Sequence, residues 1–451
     1  MGRLFGTDGV RGIVGRELTC DLALKIGKAA AAVLSDGLER KPTLLIGCDT
    51  RISSSMLCAA VAAGVCSAGA DAILLGVVPT PAVAYLVKRY HADAGVMISA
   101  SHNPFDYNGI KIFDGEGYKL PDELEEKIES LINGTGNTDV PDADKIGTVS
   151  SARNAAEDYV SHLRESAPVR FDGMKIAIDC ANGSASATAQ NLFTSLGAEV
   201  YLLHHEPNGV NINTHCGSTH MESIMEYVTA HMLDCGLAFD GDADRLLCVD
   251  ENGALVDGDR IMAICALDLK ERGKLTHDTA VGTVMTNLGF SKLCEENGLR
   301  FLATKVGDRY VLEEMLLGNY AIGGEQSGHI IFREFATTGD GQLTAVQLLS
   351  VMKRRGARLS QLASVMKQYP QTAVNLPATA DEKLLFYTDP EIRRILDDAA
   401  RALGDRGRIV VRPSGTEPLI RIMAEGEELA AIERLVSEVA ATIDGRLRKS
   451  K

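Results

Sequence analysis

The feature that most constrains this chain is an alternation of short apolar strands and helices that runs, stops and restarts. Residues 43–99 read as strand "TLLIGC" (43–48), a helix over 53–70, strand "AILLGVV" (72–78), a helix over 80–92 and strand "GVMIS" (95–99). Apolar runs this short, joined by few residues, are the signature of βαβ units in a mainly parallel sheet. The order returns with "MKIAIDC" (174–180), a helix from about Ser184, "AEVYLLH" (198–204), a helix near 221–231 and "GLAFD" (236–240). A third round holds "AVGTVMT" (280–286), a helix near 289–296, "RFLATKV" (300–306), a helix near 308–317 and "AIGGEQSGH" (321–329). The rounds agree in pattern rather than in residue identity, which points to a repeated α/β unit.

Gly, Asp and Pro gather in "NGTGNTDVPDADKIG" (133–147), and a second such stretch is "YPQTAVNLPATADEK" (369–383). Beyond it come a helix near 389–404, strands "RIVVR" (408–412) and "LIRIMAEG" (419–426) and a helix over 428–444, a small α+β unit. The expected fold class is α/β. Three similar βαβ-containing domains, 1–150, 151–254 and 255–371, precede a small α+β C-terminal domain, 372–451, arranged around a central cleft.

Bulk properties exclude several functions. No apolar run approaches the ~20 residues of a membrane span, and "MGRLFGTDGVRG" has no apolar signal region. The ten cysteines form no CxxC pair and sit mostly in apolar runs, as reduced thiols of a cytoplasmic protein do. The net charge of −15 disfavours nucleic acid and anionic lipid. An anionic small ligand would need positive groups gathered locally.

In open α/β sheets, ligands bind beyond the carboxyl ends of the strands. The third strand of each round ends in an unusual loop: "SASHNP", "DGDADR" and "GEQSGH". In the second, Asp240, Asp242 and Asp244 alternate. Three such carboxylates repel one another unless a cation neutralises them, and oxygen-only ligands suit Mg²⁺ or Ca²⁺. An EF-hand would use Asp240, Asp242, Asp244 and Glu251, but Arg245 stands where its turn needs glycine, and the flanks read as strands. A phosphatase with an Asp nucleophile and a solvated acidic loop are the other readings. Arg245 beside the carboxylates suits a phosphoryl group, for which a guanidinium and a cation are complementary partners. Ser101 is the candidate carrier of that group, with Lys111 ten residues on; a turn or cap hydroxyl is the alternative. His102 reads as support for the loop, and Ser99 has no assigned role.

Glu325 and Ser327 in "GGEQSGH" suit sugar hydroxyls. Arg412, Ser414, Gly415 and Thr416 in "VRPSGTEP" offer a guanidinium, two hydroxyls and an open turn, either a phosphate nest or a plain Pro-Gly loop. Arg11, in "FGTDGVRG", lies before the first βαβ unit, with Phe5 and Val10 as anchors. Neither GxSxG nor GxxxxGK[ST] occurs, which argues against a hydrolase elbow and a P-loop.

Taken together, "FGTDGVRG", "CDTRISS", "GVMISASHNP", "CGSTH", "FDGDADR", "TKVGDRYV", "GGEQSGH" and "RPSGTEPLIRIM" resemble, in order and along the whole chain, the phosphohexose mutases (α-D-phosphohexomutases). The resemblance implies a phosphate on Ser101 and one Mg²⁺ held by Ser101, Asp240, Asp242 and Asp244. It implies contact of Arg245 with the phosphoserine, and proton transfer or charge stabilisation by Arg11, Lys111 and His329. Sugar recognition falls to Lys305, Glu325 and Ser327, and the non-reacting phosphate to Arg412, Ser414, Gly415 and Thr416. The implied reaction interconverts glucosamine 6-phosphate and glucosamine 1-phosphate through a 1,6-bisphosphate, with glucosamine or glucose 1,6-bisphosphate as primer. That product leads to UDP-N-acetylglucosamine and peptidoglycan; glucose and mannose phosphates are the alternative substrates. A cytoplasmic homodimer is implied as well.

Overall fold

The computed structural model describes residues 4–6, 8–134, 141–414 and 418–449. Part of the expected 133–147 boundary, 135–140, and two expected site residues, Gly415 and Thr416, lie outside the described residues. The chain folds as two compact units, Met1–Val281 with Gly307–Ser364, and Gly282–Val306 with Val365–Lys451.

The first sheet holds β1 (Val10–Ile13), β2 (Thr43–Cys48), β3 (Asp71–Val77), β4 (Ala94–Ile98), β5 (Tyr107–Asp114) and β6 (Val149–Ser151). Their order is β1-β5-β4-β2-β3-β6. β4, β2, β3 and β6 are parallel, as the alternation demands, but β5 and β1 run antiparallel at one edge. The sheet is mainly parallel, as expected, and the antiparallel edge is an addition that the alternation did not reveal. Only residues 99–106 join β4 to β5, too few for a crossover, so the chain must return antiparallel. That return sets Lys111 opposite Met97 of β4 and Gly109 opposite Arg11 of β1.

The helices over Cys20–Leu34 and Ser54–Ser67 cover this sheet and cross closely at two glycines. A Cβ on Gly64 would meet the Leu24 carbonyl at 2.1 Å. Leu44, Ile46, Val61, Val96 and Ile110 are fully buried in the core beneath them.

The second sheet repeats the plan. β7 (Lys175–Asp179), β8 (Glu199–Leu203), β9 (Cys235–Phe239), β10 (Leu246–Asp250) and β11 (Leu255–Val256) are ordered β11-β10-β9-β7-β8. Again the third strand of the round, β9, pairs parallel with the first and antiparallel with the one that follows. The helix expected from Ser184 is a 3₁₀ turn over Ser184–Ala187 followed by a short α-helix over Ala189–Ser195. The third round supplies β12 (Thr279–Thr283), β13 (Arg300–Thr304), β14 (Ile322–Gly324) and β15 (Ile330–Phe332). Within the first unit, Ala280 and Val281 pair parallel with β14, and β15 returns antiparallel. Three rounds thus share one topology, and Ser101, Asp240 and Glu325 follow the same strand in each.

The second unit contains β16 (Gln371–Pro377), β17 (Gly407–Pro413) and β18 (Leu419–Gly426), an antiparallel sheet ordered β16-β18-β17. Helices over Ala380–Thr388, Pro390–Leu403 and Leu429–Lys449 accompany it, with Ile420, Ile422, Ile432, Val436 and Ile443 in their core. The first of these helices opens with a capping box: Thr379 accepts from the Glu382 amide while Glu382 accepts from the Thr379 amide.

Candidate active site

Ser101 leaves β4 with φ +51°, a left-handed conformation that a serine rarely holds. Its Oγ donates to Asp240 Oδ2 at 2.6 Å, across 139 residues of sequence. The two loops touch through backbone too, because a Cβ on Gly241 would sit 2.6 Å from the Ser101 carbonyl. Glycine is what lets "DGDADR" approach "SASHNP" this closely.

Asp240, Asp242 and Asp244 are all buried, and one oxygen of each lies within 4.8 Å of the others. Lys111, itself buried, reaches Asp242 Oδ2 at 2.8 Å and Asp244 Oδ2 at 3.5 Å. Thr80 at the start of the helix over Thr80–Arg89 donates to the same Asp242 oxygen at 2.5 Å. The Arg245 amide donates to Asp240 Oδ1 at 3.2 Å. Asp242 Oδ1 and Asp244 Oδ1 are buried and, among the described residues, receive no hydrogen bond. A buried carboxylate oxygen left open is costly, and a hard cation is the partner it suits. The triad therefore fits a metal.

The electrostatics are uneven within the triad. Burial, then repulsion from Asp244 and Asp242, pushes the Asp240 carboxyl well above its ordinary range. Burial also raises Asp244, but Lys111, His329 and Arg245 more than reverse this and hold it below its ordinary range. For Lys111 itself, burial works against the charge, and Asp242, Asp8 and Asp244 overcome it, so the ammonium is held charged. Asp240 is thus the member most in need of an added cation.

His102 stands between the loops, its Nδ1 3.3 Å from both Ser101 Oγ and Arg245 Nη1. Burial, then the charges of Arg245 and Arg11, lowers its pKa to about 4, so the ring is neutral at physiological pH and accepts from the guanidinium. His329 is buried with Nδ1 3.6 Å from Asp244 Oδ2. Its Nε2 accepts from the Gly339 amide at 3.0 Å, which places the ring proton on Nδ1. Burial opposes a second proton on His329, while Asp244 and Asp308 favour it and raise its pKa overall. Taking that proton would cost the Gly339 hydrogen bond.

Arg11 pairs with Asp8, whose carboxylate also meets Lys111 at 3.0 Å and Lys119 at 2.5 Å. Lys119 pairs in turn with Asp308. Sequence reasoning missed Asp8, Lys119 and Asp308 as site residues, although "FGTDGVRG" and "TKVGDRYV" contain the two acids. It also missed Thr80, which carries no local signal beyond its place after β3. Glu325 is half-buried and accepts from the Gly307 amide at 3.2 Å; Ser327 is exposed on the turn beside it. The structure thus gathers Arg11, Ser101, Lys111, Asp240, Asp242, Asp244, Arg245 and His329 around one point in the first unit.

In the second unit, Lys305 is exposed just after β13. Arg412 on β17 lies directly opposite Arg421 on β18. Burial, then Arg421, lowers the Arg412 pKa, and its Nε is buried with no hydrogen bond among the described residues. Ser414 is buried, and its carbonyl accepts from Lys383 at 2.6 Å.

Models of phosphoglucomutase/phosphomannomutase match the chain in order: alpha/beta/alpha domain I over residues 2–139, domain II over 157–253, domain III over 257–369 and the C-terminal domain over 354–442. A phosphoglucosamine mutase of Caldanaerobacter subterraneus subsp. tengcongensis is 52% identical over 447 residues, covering 99% of this chain and 100% of that protein. Among solved structures, a phosphoglucomutase/phosphomannomutase family protein from Burkholderia thailandensis superposes with TM-score 0.84 at 24% identity, covering 99% of this chain and 98% of that one. The N-acetylphosphoglucosamine mutase of Aspergillus fumigatus, solved with GlcNAc-6P and magnesium, gives TM-score 0.72 at 17% identity, covering 98% and 95%. Motifs, topology and full-length likeness agree: the chain belongs to the phosphoglucomutase/phosphomannomutase family, the phosphohexose mutases.

Proposed function

We propose that this chain interconverts glucosamine 6-phosphate and glucosamine 1-phosphate, as its 52%-identical relative is named for doing. The observation that carries the chemistry is Ser101 Oγ, 2.6 Å from a buried carboxylate triad with two open oxygens. Phosphorylated Ser101 gives its phosphoryl group to the free hydroxyl of the sugar monophosphate, yielding the 1,6-bisphosphate and a free serine. The intermediate reorients, and its other phosphate returns to Ser101, releasing the isomeric monophosphate.

Mg²⁺ on Asp240, Asp242, Asp244 and a phosphoserine oxygen would neutralise charge on the transferring group; the Aspergillus neighbour, solved with magnesium, supports that choice. Arg245 and Lys111 add fixed positive charge at the same point, and phosphoryl transfer is chiefly positioning and charge neutralisation. Arg11, Lys111 and His329 are the groups of this reading that move or hold protons. Lys305, Glu325 and Ser327 recognise the sugar. Arg412 with Ser414, Gly415 and Thr416 takes the non-reacting phosphate, and the buried Arg412 Nε, which makes no hydrogen bond among the described residues, supports an anion there. A catalytic amount of glucose or glucosamine 1,6-bisphosphate primes Ser101.

The ten cysteines are free thiols, and among the described residues no helix is long and apolar enough to cross a membrane. Both fit the cytoplasmic placement of this reading, which also includes a homodimer.

The test is isomerisation of glucosamine 6-phosphate, glucose 6-phosphate and mannose 6-phosphate with Mg²⁺ and a bisphosphate primer, by wild type and Ser101→Ala. Glucosamine 6-phosphate should be preferred, and Ser101→Ala should lose at least about 1,000-fold in kcat, the scale of removing a covalent carrier. Normal turnover by Ser101→Ala, or a preference for glucose or mannose phosphate, would sink the proposal.

A further inference from the structure

Ser101 is fixed by more than its own strand. Its amide donates to Ser99 Oγ at 3.0 Å, and the Ser99 hydroxyl donates to Asp49 Oδ2 at 2.6 Å. Its carbonyl accepts from Arg51 Nη2 at 2.9 Å and from Asn213 Nδ2 at 2.8 Å. The carbonyls of Asn103 and Pro104 are held by the same side chains. Asn103 O accepts from Arg51 Nη1 and Nη2 at 3.0 Å and from Asn213 Nδ2 at 3.0 Å, and Pro104 O from Arg51 Nη1 at 2.6 Å. Asp49 anchors the set, accepting from Arg51 Nε at 2.9 Å in an ion pair with no side-chain exposure on either partner.

We propose that Ser99, Arg51 and Asn213, anchored on Asp49, are positioning residues that lock the Ser101 loop and aim Ser101 Oγ for phosphoryl transfer. This rests on the reading of Ser101 as the phosphate carrier.

Three observations carry it. Arg51 comes from a motif where a guanidinium invites a phosphate role, yet its five N–H groups are all directed at Asp49 and the loop carbonyls. No N–H is left for a ligand, so its charge serves the backbone. Ser101 sits at φ +51°, a region that a non-glycine residue rarely holds, and such a conformation persists only when its surroundings over-determine it. Every anchor is buried: Asp49, Arg51, Ser99 and Asn213. A carrier that must donate to, and accept from, two ends of a sugar gains from an oxygen that does not wander. A misplacement of about 1 Å can cost about 100-fold in rate.

The experiment compares Ser99→Ala, Asn213→Gly and Ser54→Ala in the primed isomerisation assay, with inorganic phosphate release measured alongside. Asn213→Gly removes the amide yet tolerates the φ of +58° that Asn213 holds. Ser54 donates to Asp49 Oδ1 at 2.9 Å but touches neither Ser101 nor its carbonyls, so Ser54→Ala gauges the loss of one bond at that carboxylate. Ser99→Ala and Asn213→Gly should each lower kcat about 30–100-fold, keep KM within threefold, and release more phosphate per turnover as a loosened phosphoserine leaks to water. Their loss should exceed that of Ser54→Ala by at least about tenfold.

A kcat within threefold of wild type for both folded variants would overturn the proposal. So would a loss no larger than that of Ser54→Ala, or one explained wholly by unfolded protein in near-UV circular dichroism. If Ser99→Ala does not fold, Asn213→Gly decides the matter. Ser101→Ala in the same assay separates the two claims: an active Ser101→Ala removes the carrier reading itself. An inactive one beside normal Ser99→Ala and Asn213→Gly removes only the clamp.

Discussion

The loops after β4 and β9 occupy the same place in successive rounds of one topology, and they are finished in opposite ways. Each passes through a left-handed residue, Ser101 at φ +51° and Ala243 at φ +56°. After β4, the carbonyls of Ser101, Asn103 and Pro104 and the Ser101 amide are met by buried side chains. After β9, the backbone is tied, with Gly341 donating to the Ala243 carbonyl, yet two buried carboxylate oxygens accept no hydrogen bond among the described residues. A loop that carries a reacting atom needs every bond made, so that the atom stays put. A loop that binds a cation needs lone pairs withheld from the protein. The same strand end serves both purposes because satisfaction, not topology, decides the chemistry.

Removing a charge from the open loop should therefore hurt activity while sparing stability. Asp240→Asn is the sharpest case, since burial and its neighbours already oppose that negative charge. The Ser101 hydroxyl can turn to accept from the new amide. We expect kcat to fall at least about 100-fold, as for loss of one preorganised charge contact in an active site. The Tm of the metal-free protein should stay equal to wild type or rise, because like-charge repulsion is relieved. A variant that loses several degrees of Tm in EDTA would break the contrast, showing the triad to be as fully satisfied as the β4 loop.

A smaller effect is expected where the open loop is held from outside. Thr80 donates its hydroxyl to Asp242 Oδ2 at 2.5 Å, and its amide donates to the Asp242 carbonyl at 2.9 Å. Thr80→Val keeps the shape and the amide bond but removes the hydroxyl. Supporting partners of metal ligands are typically worth about 10–100-fold in affinity. The Mg²⁺ concentration for half-maximal rate should rise by about that factor, with kcat at saturating Mg²⁺ changed less than threefold. An unchanged Mg²⁺ profile would mean Thr80 only fastens the helix over Thr80–Arg89.

These contrasts also mark what the sequence could reveal. Strand ends were legible because apolar runs stop abruptly: β2 and β18 begin and end where the pattern places them. Alternating aspartates after a buried strand announced a charge problem that a cation would solve. What could not be read was the partner of each group. Ser101 and Asp240 meet across 139 residues, and Lys119 and Asp308 across 189. Nothing local to "GYKL" or "VPTP" marks Lys119 or Thr80, whose roles exist only once separate strand ends converge. Ser99, without an assignment from its own loop, acquires one through Asp49, 50 residues earlier. The antiparallel return of β5 was hidden for a related reason, since periodicity reports burial and not strand direction.

A third group tests whether composition or satisfaction governs. Asp179 at the end of β7, His204 after β8 and Cys216 bring possible ligand atoms within 4.8 Å of one another, as the aspartate triad does. Yet Asp179 is filled like the β4 loop: Oδ1 accepts from the Ala181 amide at 2.8 Å, and Oδ2 from the Gly217 amide and His204 Nδ1, each at 2.9 Å. Burial pushes the Cys216 thiol up to about 12, so it stays protonated. We therefore expect this group to act as a pH-dependent tie between loops. The Asp179 hydrogen bond raises the His204 pKa above its ordinary value, and partial burial only weakens the rise. A histidine whose folded pKa is raised stabilises fully below its unfolded value of about 6.5, and that stabilisation fades as pH climbs through the folded value. His204→Gln should consequently lower Tm by about 1–2 °C at pH 6, the scale for losing one hydrogen bond of about 1 kcal/mol in a unit as large as the first. The gap from wild type should narrow by pH 9. A gap independent of pH would show that the neutral ring, and not its charge, does the tying.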